Sequence, residues 1–273
     1  MTNSPRPKMT VPMLAQRKQE GTPLSMVTAY DATFACIVDA GGVDLILVGD
    51  SVATVMQGQR NTLGVSMDDM SYHVRLVASA QPRALIVGDM PFGSYQSSSV
   101  DAVDNAVRLV KAGAEIVKLE GGLFVQDAIA CIANADIPVM GHIGLTPQSY
   151  HRMGGNKIQG RSEGEQAGSR SRLIADAIAV EEAGACALVI EGVPAELAME
   201  ITETVSIPTI GIGAGVHCDG QVLVMHDLLG LSERTFTFAK AYTNLRQQAT
   251  EAVQQYVAEV SNKSWPDEQH SFH

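Results

Sequence analysis

Apolar and polar residues along this chain come in blocks rather than in strict alternation. The block 45–52, LILVGDSV, runs through four apolar residues and a glycine into Asp50 and Ser51. An unbroken apolar run of this length reads as a strand buried on both faces. The same form recurs in RALIVGDM at 83–90, carrying Asp89, in AEIVKLEGG at 114–122, carrying Glu120, and in ACALVIEG at 185–192, carrying Glu191. Each of these four strands places one acid at its carboxyl end. In parallel α/β proteins that edge is where ligands and chemistry gather.

The blocks between the strands carry helical signals. Thr10 and Pro12 start a first helix that Gly21 stops, after a loose tail at 1–9. SMVTAY at 25–30 is a strand, and Asp31 caps the helix that follows it to about Ala40. Residues 53–66 read as a loop, 67–80 as a helix, about 100–112 as a helix and 123–134 as another. IPVMGHIG at 137–144 is a fifth strand, ending near His142. The stretch 145–170 is polar and glycine-rich, too long for an ordinary connection, and reads as an active-site lid, with a disordered insertion as the alternative. Beyond it come a helix at 170–183, the Glu191 strand, a helix at 194–204, and strands at 207–215 and 221–227. A last helix at 238–260 spaces Phe238, Ala241, Leu245, Ala249, Val253, Tyr256 and Val260 along one face, before a polar tail from 263 to 273.

Eight strands alternating with helices predict an α/β chain folded as one (β/α)8 TIM barrel over 1–273. An internal repeat agrees: Ala112-Gly113-Ala114 precedes Glu120 by the offset at which Ala183-Gly184-Ala185 precedes Glu191. A doubly wound open sheet is the alternative, but GIGAG at 211–215 is only a fragment of a dinucleotide fingerprint.

Composition narrows the function. A formal charge of −11 with no basic cluster is a poor match for nucleic acid or an anionic membrane. Cys36, Cys131, Cys186 and Cys218 lack paired spacing and read as small core residues of a reducing compartment. The N-terminal MTNSPRPKM has no signal or transit pattern, and no apolar run reaches a membrane span, so the expectation is a cytoplasmic protein.

The chemistry lies with the acids. Asp50, Asp89 and Glu120 at one barrel mouth repel one another, and protonation or a cation relieves that; carboxylates suit Mg2+ or Mn2+. Each acid alone could instead be a helix cap. Lys118 shares a strand face with Glu120, and a lysine in an apolar strand is either a structural ion pair or a catalytic or anion-binding group. His142 could bond substrate, serve as acid or base, or be a satisfied core histidine. His226 and Asp227 read as structural.

VGDS at 48–51, GDMPFGSY at 88–95, VKLEGG at 117–122, GHIGLTPQS at 141–149 and GIGAG at 211–215 resemble the ketopantoate hydroxymethyltransferase family, from about Thr10 to the C-terminal HSFH. The resemblance implies a (β/α)8 barrel, a homodecamer, Mg2+, and the substrates 3-methyl-2-oxobutanoate and 5,10-methylenetetrahydrofolate. It implies metal binding at Asp50 and Asp89, with Glu120 at the metal's outer side. It implies substrate binding at Asp50, Ser51, Asp89 and Lys118, and proton abstraction by Glu191; His142 joins the substrate-binding candidates. A carbon–carbon lyase or phosphonomutase on a similar barrel, needing no folate, and a catalytically silent metabolite-binding barrel are the rival readings.

Overall fold

Eight strands close into a barrel in chain order: β1 Leu24–Thr28, β2 Leu45–Val48, β3 Leu85–Asp89, β4 Ile116–Glu120, β5 Val139–Gly144, β6 Ala187–Glu191, β7 Thr209–Ile212 and β8 Gly220–Leu223. Every neighbouring pair is parallel, and β8 returns to β1. The computed structural model describes residues 6–233 and 236–272, and these fall into two compact units that divide between Val224 and Met225.

Strand alternation sorts the side chains of the barrel. Leu45 and Leu47, Leu85 and Val87, Ile116, Met140, and Ala187 and Val189 share one buried cluster. Continued by twos, those positions reach Asp89, Lys118 and Glu120, His142, and Glu191. The intervening positions face the helices: a Cβ at Gly88 would meet Val74 and Leu109, and one at Gly141 would meet Val180. Both layers are apolar, which is why the strands read as continuous runs. Each buried Leu, Ile or Val stabilises the fold by roughly 1.5–3 kcal/mol.

The helices start where short polar side chains can cap them. Asp31 accepts the Phe34 N–H ahead of the helix Ala32–Ala40, and Ser98 accepts the Asp101 N–H ahead of Ser99–Ala112. Ser66 and Asp69 form a reciprocal capping box at the start of Met67–Ser79.

Several expectations shift. Residues 53–66 are not all loop, because Val52–Val55 makes a helical turn directly after Ser51. Residues 1–5 of the expected N-terminal tail lie outside the described residues; residues 6–9 are not loose. Arg6 pairs with Asp39 at 2.9 Å, Lys8 pairs with Glu115 at 2.6 Å, and Met9 is buried in the barrel core. The lid stretch contains a 3-10 turn at Pro147–Ser149 and a short helix at Tyr150–Met153. Cys36 and Cys131 are exposed rather than core residues.

The eighth strand stops at Leu223, and Met225–Leu228 is helical, so His226 and Asp227 belong to the second unit. There the last helix runs Leu245–Asn262, not from 238. Its later start follows from local bonds: the Tyr242 and Leu245 N–H groups donate to the Leu228 and Leu229 carbonyls, and the Asn244 side chain caps the first turn. Phe238 and Ala241 lie ahead of it, while Val253, Tyr256 and Val260 are exposed on it. The polar tail carries a turn at Glu268–His270, capped by Asp267, with Trp265 packed on His270; His273 lies outside the described residues.

Candidate active site

The register of β3 and β4 sets Asp89 beside Lys118. Lys118 Nζ lies 2.6 Å from Asp89 Oδ1, with both side chains buried. The lysine's partner is therefore Asp89 on the neighbouring strand rather than Glu120 on its own. Burial opposes the ammonium charge, but Asp89, Glu120 and Asp50 outweigh it and raise the Lys118 pKa above its ordinary value. Lys118 therefore stays cationic across the physiological range, facing the Asp89 carboxyl.

Asp50 sits just past the end of β2, where its backbone N–H donates to Asp89 Oδ2 at 3.0 Å. Burial, then the charges of Asp89 and Glu120, push its carboxyl up to about 8. Burial also pushes Asp89 up, with Lys118 pulling against it. Asp50 and Asp89 thus share one buried patch in which two negative charges are disfavoured together.

Next to Asp50, the Ser51 hydroxyl bonds Tyr30 Oη at 2.8 Å. Tyr30 is fully buried, and burial raises its hydroxyl far above the usual range, so it remains a neutral partner that fixes the rotamer of Ser51.

Glu120 and Asp50 are tied together by Gln148. Its backbone N–H donates to Glu120 Oε2 at 2.9 Å, while its side-chain amide donates to Asp50 Oδ2 and to the Met90 carbonyl, each at 3.0 Å. Tyr95 Oη donates to Gln148 Oε1 at 2.7 Å. Sequence reading missed Gln148, Tyr95 and Tyr30. The first two lie inside the LTPQS and GSY segments, but no periodicity marks a loop glutamine as a buried hub.

His142 pairs in register with Glu120 and joins the two ends of the site. Its Nδ1 lies 3.3 Å from Lys118 Nζ and 3.5 Å from Glu120 Oε1, and its Nε2 lies 3.2 Å from Glu191 Oε2. Burial and Lys118 oppose a charge on the ring, yet Glu120 and Glu191 prevail and lift its pKa to about 9. Glu191 reaches His142 because β5 and β6 run very close at their ends. Gly144 has φ 95°, and a Cβ there would lie 2.1 Å from the Glu191 carbonyl oxygen, so only glycine fits.

The seven residues singled out from sequence therefore gather at one mouth. A chain of contacts runs from Asp50 through Asp89, Lys118 and His142 to Glu191, with Glu120 and Ser51 beside it. Among the described residues, no three His, Cys, Asp or Glu side chains converge closely enough to cage a metal by themselves.

Buried acids around a lysine at the carboxyl mouth of a closed parallel barrel define the class as a (β/α)8 barrel with its chemistry at that mouth. Solved structures share that fold. Phosphonopyruvate hydrolase in complex with oxalate and Mg2+ superposes with a TM-score of 0.60 at 15% identity, over 94% of this chain and 88% of that one. A 2,3-dimethylmalate lyase gives 0.59 at 13% identity, over 96% and 91%. At such identities the likeness extends to the fold alone. Sequence relatives are far nearer. The family model for ketopantoate hydroxymethyltransferase matches residues 8–268. The 3-methyl-2-oxobutanoate hydroxymethyltransferase of Trichlorobacter lovleyi is 53% identical over 269 residues, 98% of this chain and 99% of that protein. Its counterpart in Geobacter metallireducens is 55% identical over 267 residues, 97% and 98% of the two chains. The chain belongs to the ketopantoate hydroxymethyltransferase family.

Proposed function

We propose that this chain transfers a hydroxymethyl group from 5,10-methylenetetrahydrofolate to 3-methyl-2-oxobutanoate, giving 2-dehydropantoate and tetrahydrofolate at the start of pantothenate biosynthesis. The observation that carries this reading is the contact chain from Asp50 to Glu191 at the barrel mouth of a member of this family. It sets an acceptor of protons at one end and, at the other, two buried carboxyls whose joint ionisation a cation would relieve.

Mg2+ is the cofactor of this reading, held by Asp50 and Asp89 with Glu120 at its outer side. The residues fit such an ion. Their oxygens are hard donors, and burial, then repulsion from Asp89 and Glu120, pushes the Asp50 carboxyl up to about 8, a strain that a cation would relieve. Two direct carboxylates also suit an ion that retains waters and accepts substrate oxygens. When bound, Mg2+ supplies Lewis acidity toward a carbonyl oxygen, acidifying the adjacent C–H.

The side chains divide the remaining work. Lys118, cationic and desolvated, offers fixed positive charge to the oxygens of the 2-oxo acid and of its enolate. Ser51, oriented by Tyr30, donates to the same anion. His142 Nε2 lies 3.2 Å from Oε2 of Glu191, a charge-pair contact that leaves Oε1 to accept the C3 proton. The resulting carbanion attacks the methylene carbon of the donor as one of its two carbon–nitrogen bonds opens; the second breaks as tetrahydrofolate leaves, water provides the hydroxyl oxygen, and the two nitrogens take up the proton removed from C3 and one from that water. The lid over 145–170 shields the enolate from bulk water.

The same reading extends to assembly and location. Tyr256, Val257 and Val260 leave an apolar stripe of the last helix in solvent, which supports association of copies into the homodecamer. The single barrel domain over 1–273 is then the repeating body. Free cysteines, and the lack of a helix long and apolar enough to cross a membrane among the described residues, support the cytoplasm as its place.

Proton exchange tests the assignment of the base without folate. Protein, Mg2+ and 3-methyl-2-oxobutanoate in D2O should lose the C3 proton signal by NMR, and a chelator should stop the loss. Glu191→Gln should abolish exchange while substrate still binds. Exchange at the parent rate in that variant would move the base elsewhere, with His142 the next candidate.

A further inference from the structure

A cavity of about 360 Å3 opens beside the acids, between the segments that follow β3, β4 and β5 and the helix Arg170–Glu182. Of the seven site residues only Glu120 lines it, with Gln148 next to it as the inner wall. The cavity therefore adjoins the reaction centre without containing Asp50, Asp89, Lys118 or Glu191. Its size falls within the range of small-molecule sites, about 300–1,000 Å3.

The walls have their own chemistry. Phe92, Phe124 and Met153 are apolar. Phe92 is 50% exposed and Phe124 82% exposed, a large unburied area for two rings at one cavity. Arg172 stacks on Phe124 at 4.7 Å from the ring centre. Asp176, on the same helix as Arg172, is the polar edge. Its Oδ1 accepts the Leu123 N–H at 3.0 Å and the Arg172 Nε–H at 3.1 Å, and its Oδ2 makes no hydrogen bond to a described residue. The chain makes room for this carboxylate: a Cβ on Gly122 would stand 2.3 Å from Asp176 Oδ1.

We propose that this cavity binds the planar pterin ring of the one-carbon donor, with the Asp176 carboxylate receiving N–H groups from the aminopyrimidinone edge and the two phenylalanines lying against the ring. The proposal rests on the folate-dependent reading above. Shape and charge together decide which substrate goes where. The 2-oxo acid is a small anion that would leave the two phenylalanine faces uncovered, and of the charged groups lining the cavity Glu120 and Asp176 disfavour it while Arg152 alone attracts it. A neutral ring with N–H donors on one edge and two flat apolar faces matches the same walls, since hydrogen bonds to a carboxylate are the stronger kind. Entry from the Glu120 side brings the donor's reactive carbon toward the centre where the carbanion forms.

The test uses the full-length protein with Mg2+. Asp176→Asn keeps the shape and both existing bonds but removes the charge. It should raise the KM for methylenetetrahydrofolate, and the Kd for tetrahydrofolate by calorimetry, by about tenfold to a hundredfold. Phe124→Ala, at an exposed position that folding does not need, should raise both by about threefold to tenfold. C3 proton exchange from 3-methyl-2-oxobutanoate should stay within about twofold of the parent in both, because that half of the reaction needs no donor. Unchanged folate constants in both variants, with exchange intact, would overturn the cavity assignment and leave the function standing. A parent protein that exchanges the proton but binds no tetrahydrofolate would overturn the folate-dependent reading and the cavity assignment together. Loss of exchange alongside folate binding in both variants would show that the cavity serves the 2-oxo acid instead.

Discussion

Gln148 Nε2 donates to Asp50 Oδ2 at 3.0 Å, joining residues 98 positions apart in the chain. One glutamine thereby ties the first segment of the lid to the end of β2, and its backbone N–H ties the same segment to Glu120. Gln148→Ala would leave Asp50, Tyr95 and the Met90 carbonyl each short of a partner in a buried site. Unmet buried groups cost about 1–3 kcal/mol apiece, partly offset by entering water. The variant should therefore unfold at lower urea with an unchanged m-value, losing roughly 2 kcal/mol. A variant as stable as the parent would show that this hub is not structural.

Asp50 and Asp89 should respond oppositely to the same change. Both Asp→Asn variants should lose Mg2+ affinity by titration calorimetry. Asp89→Asn, however, strips the buried Lys118 charge of its partner, which costs roughly 3–5 kcal/mol. Asp50→Asn removes a carboxyl that burial and its neighbours already disfavour as an anion, so the metal-free stability should hold or rise. Equal destabilisation of both would contradict the charge layout.

Stability of the metal-free protein should fall as pH rises through the neutral range. His142 is raised from 6.5 to about 9, and Asp50 from 3.8 to about 8. Between its ordinary and its folded value each group holds a proton that the unfolded chain has lost, so unfolding releases protons and gains from high pH. The His142 contribution is complete below about 6.5 and gone above about 9; the Asp50 contribution fades until about 8. Denaturation with a chelator at pH 6, 7.5 and 9 should show a steady drop, and saturating Mg2+ should flatten it, because the ion binds deprotonated carboxylates. A flat metal-free profile would count against both protonation states.

The apolar stripe on the last helix predicts how assembly can be broken. Tyr256→Glu together with Val260→Glu places charge where Tyr256 is 55% and Val260 45% exposed in the isolated chain. Sedimentation should show smaller species than the parent, while circular dichroism should report unchanged helix content. An unaltered sedimentation profile would clear this face of a role in assembly.

The strands, their order and the acids at their ends were legible because each depends on local pattern. An apolar run of four to six residues has one economical fate, a strand covered on both sides, and eight such runs spaced by capped helices leave few topologies. Asp50, Asp89, Glu120 and Glu191 could be placed at one mouth because parallel strands put all their carboxyl ends on the same edge. Ends of elements were less legible. Helix Leu245–Asn262 begins seven residues later than its apolar spacing suggests, because backbone bonds to Leu228 and Leu229 take up the preceding residues.

Pairing across the barrel was decided only by the tertiary structure. Sequence spacing puts Lys118 beside Glu120, but strand register brings it to Asp89, and a lysine's long side chain follows the nearer buried charge. His142 had three equal readings until β4 and β6, on either side of its own strand, brought Lys118, Glu120 and Glu191 within 3.5 Å of its ring. Gln148 and Tyr30 carry no local mark at all, since a loop glutamine and a strand-end tyrosine acquire their roles only when distant segments bury them. Local periodicity determines which elements form and which residues end them. Which charged groups meet depends on register, closure and burial, and those exist only once the barrel is shut.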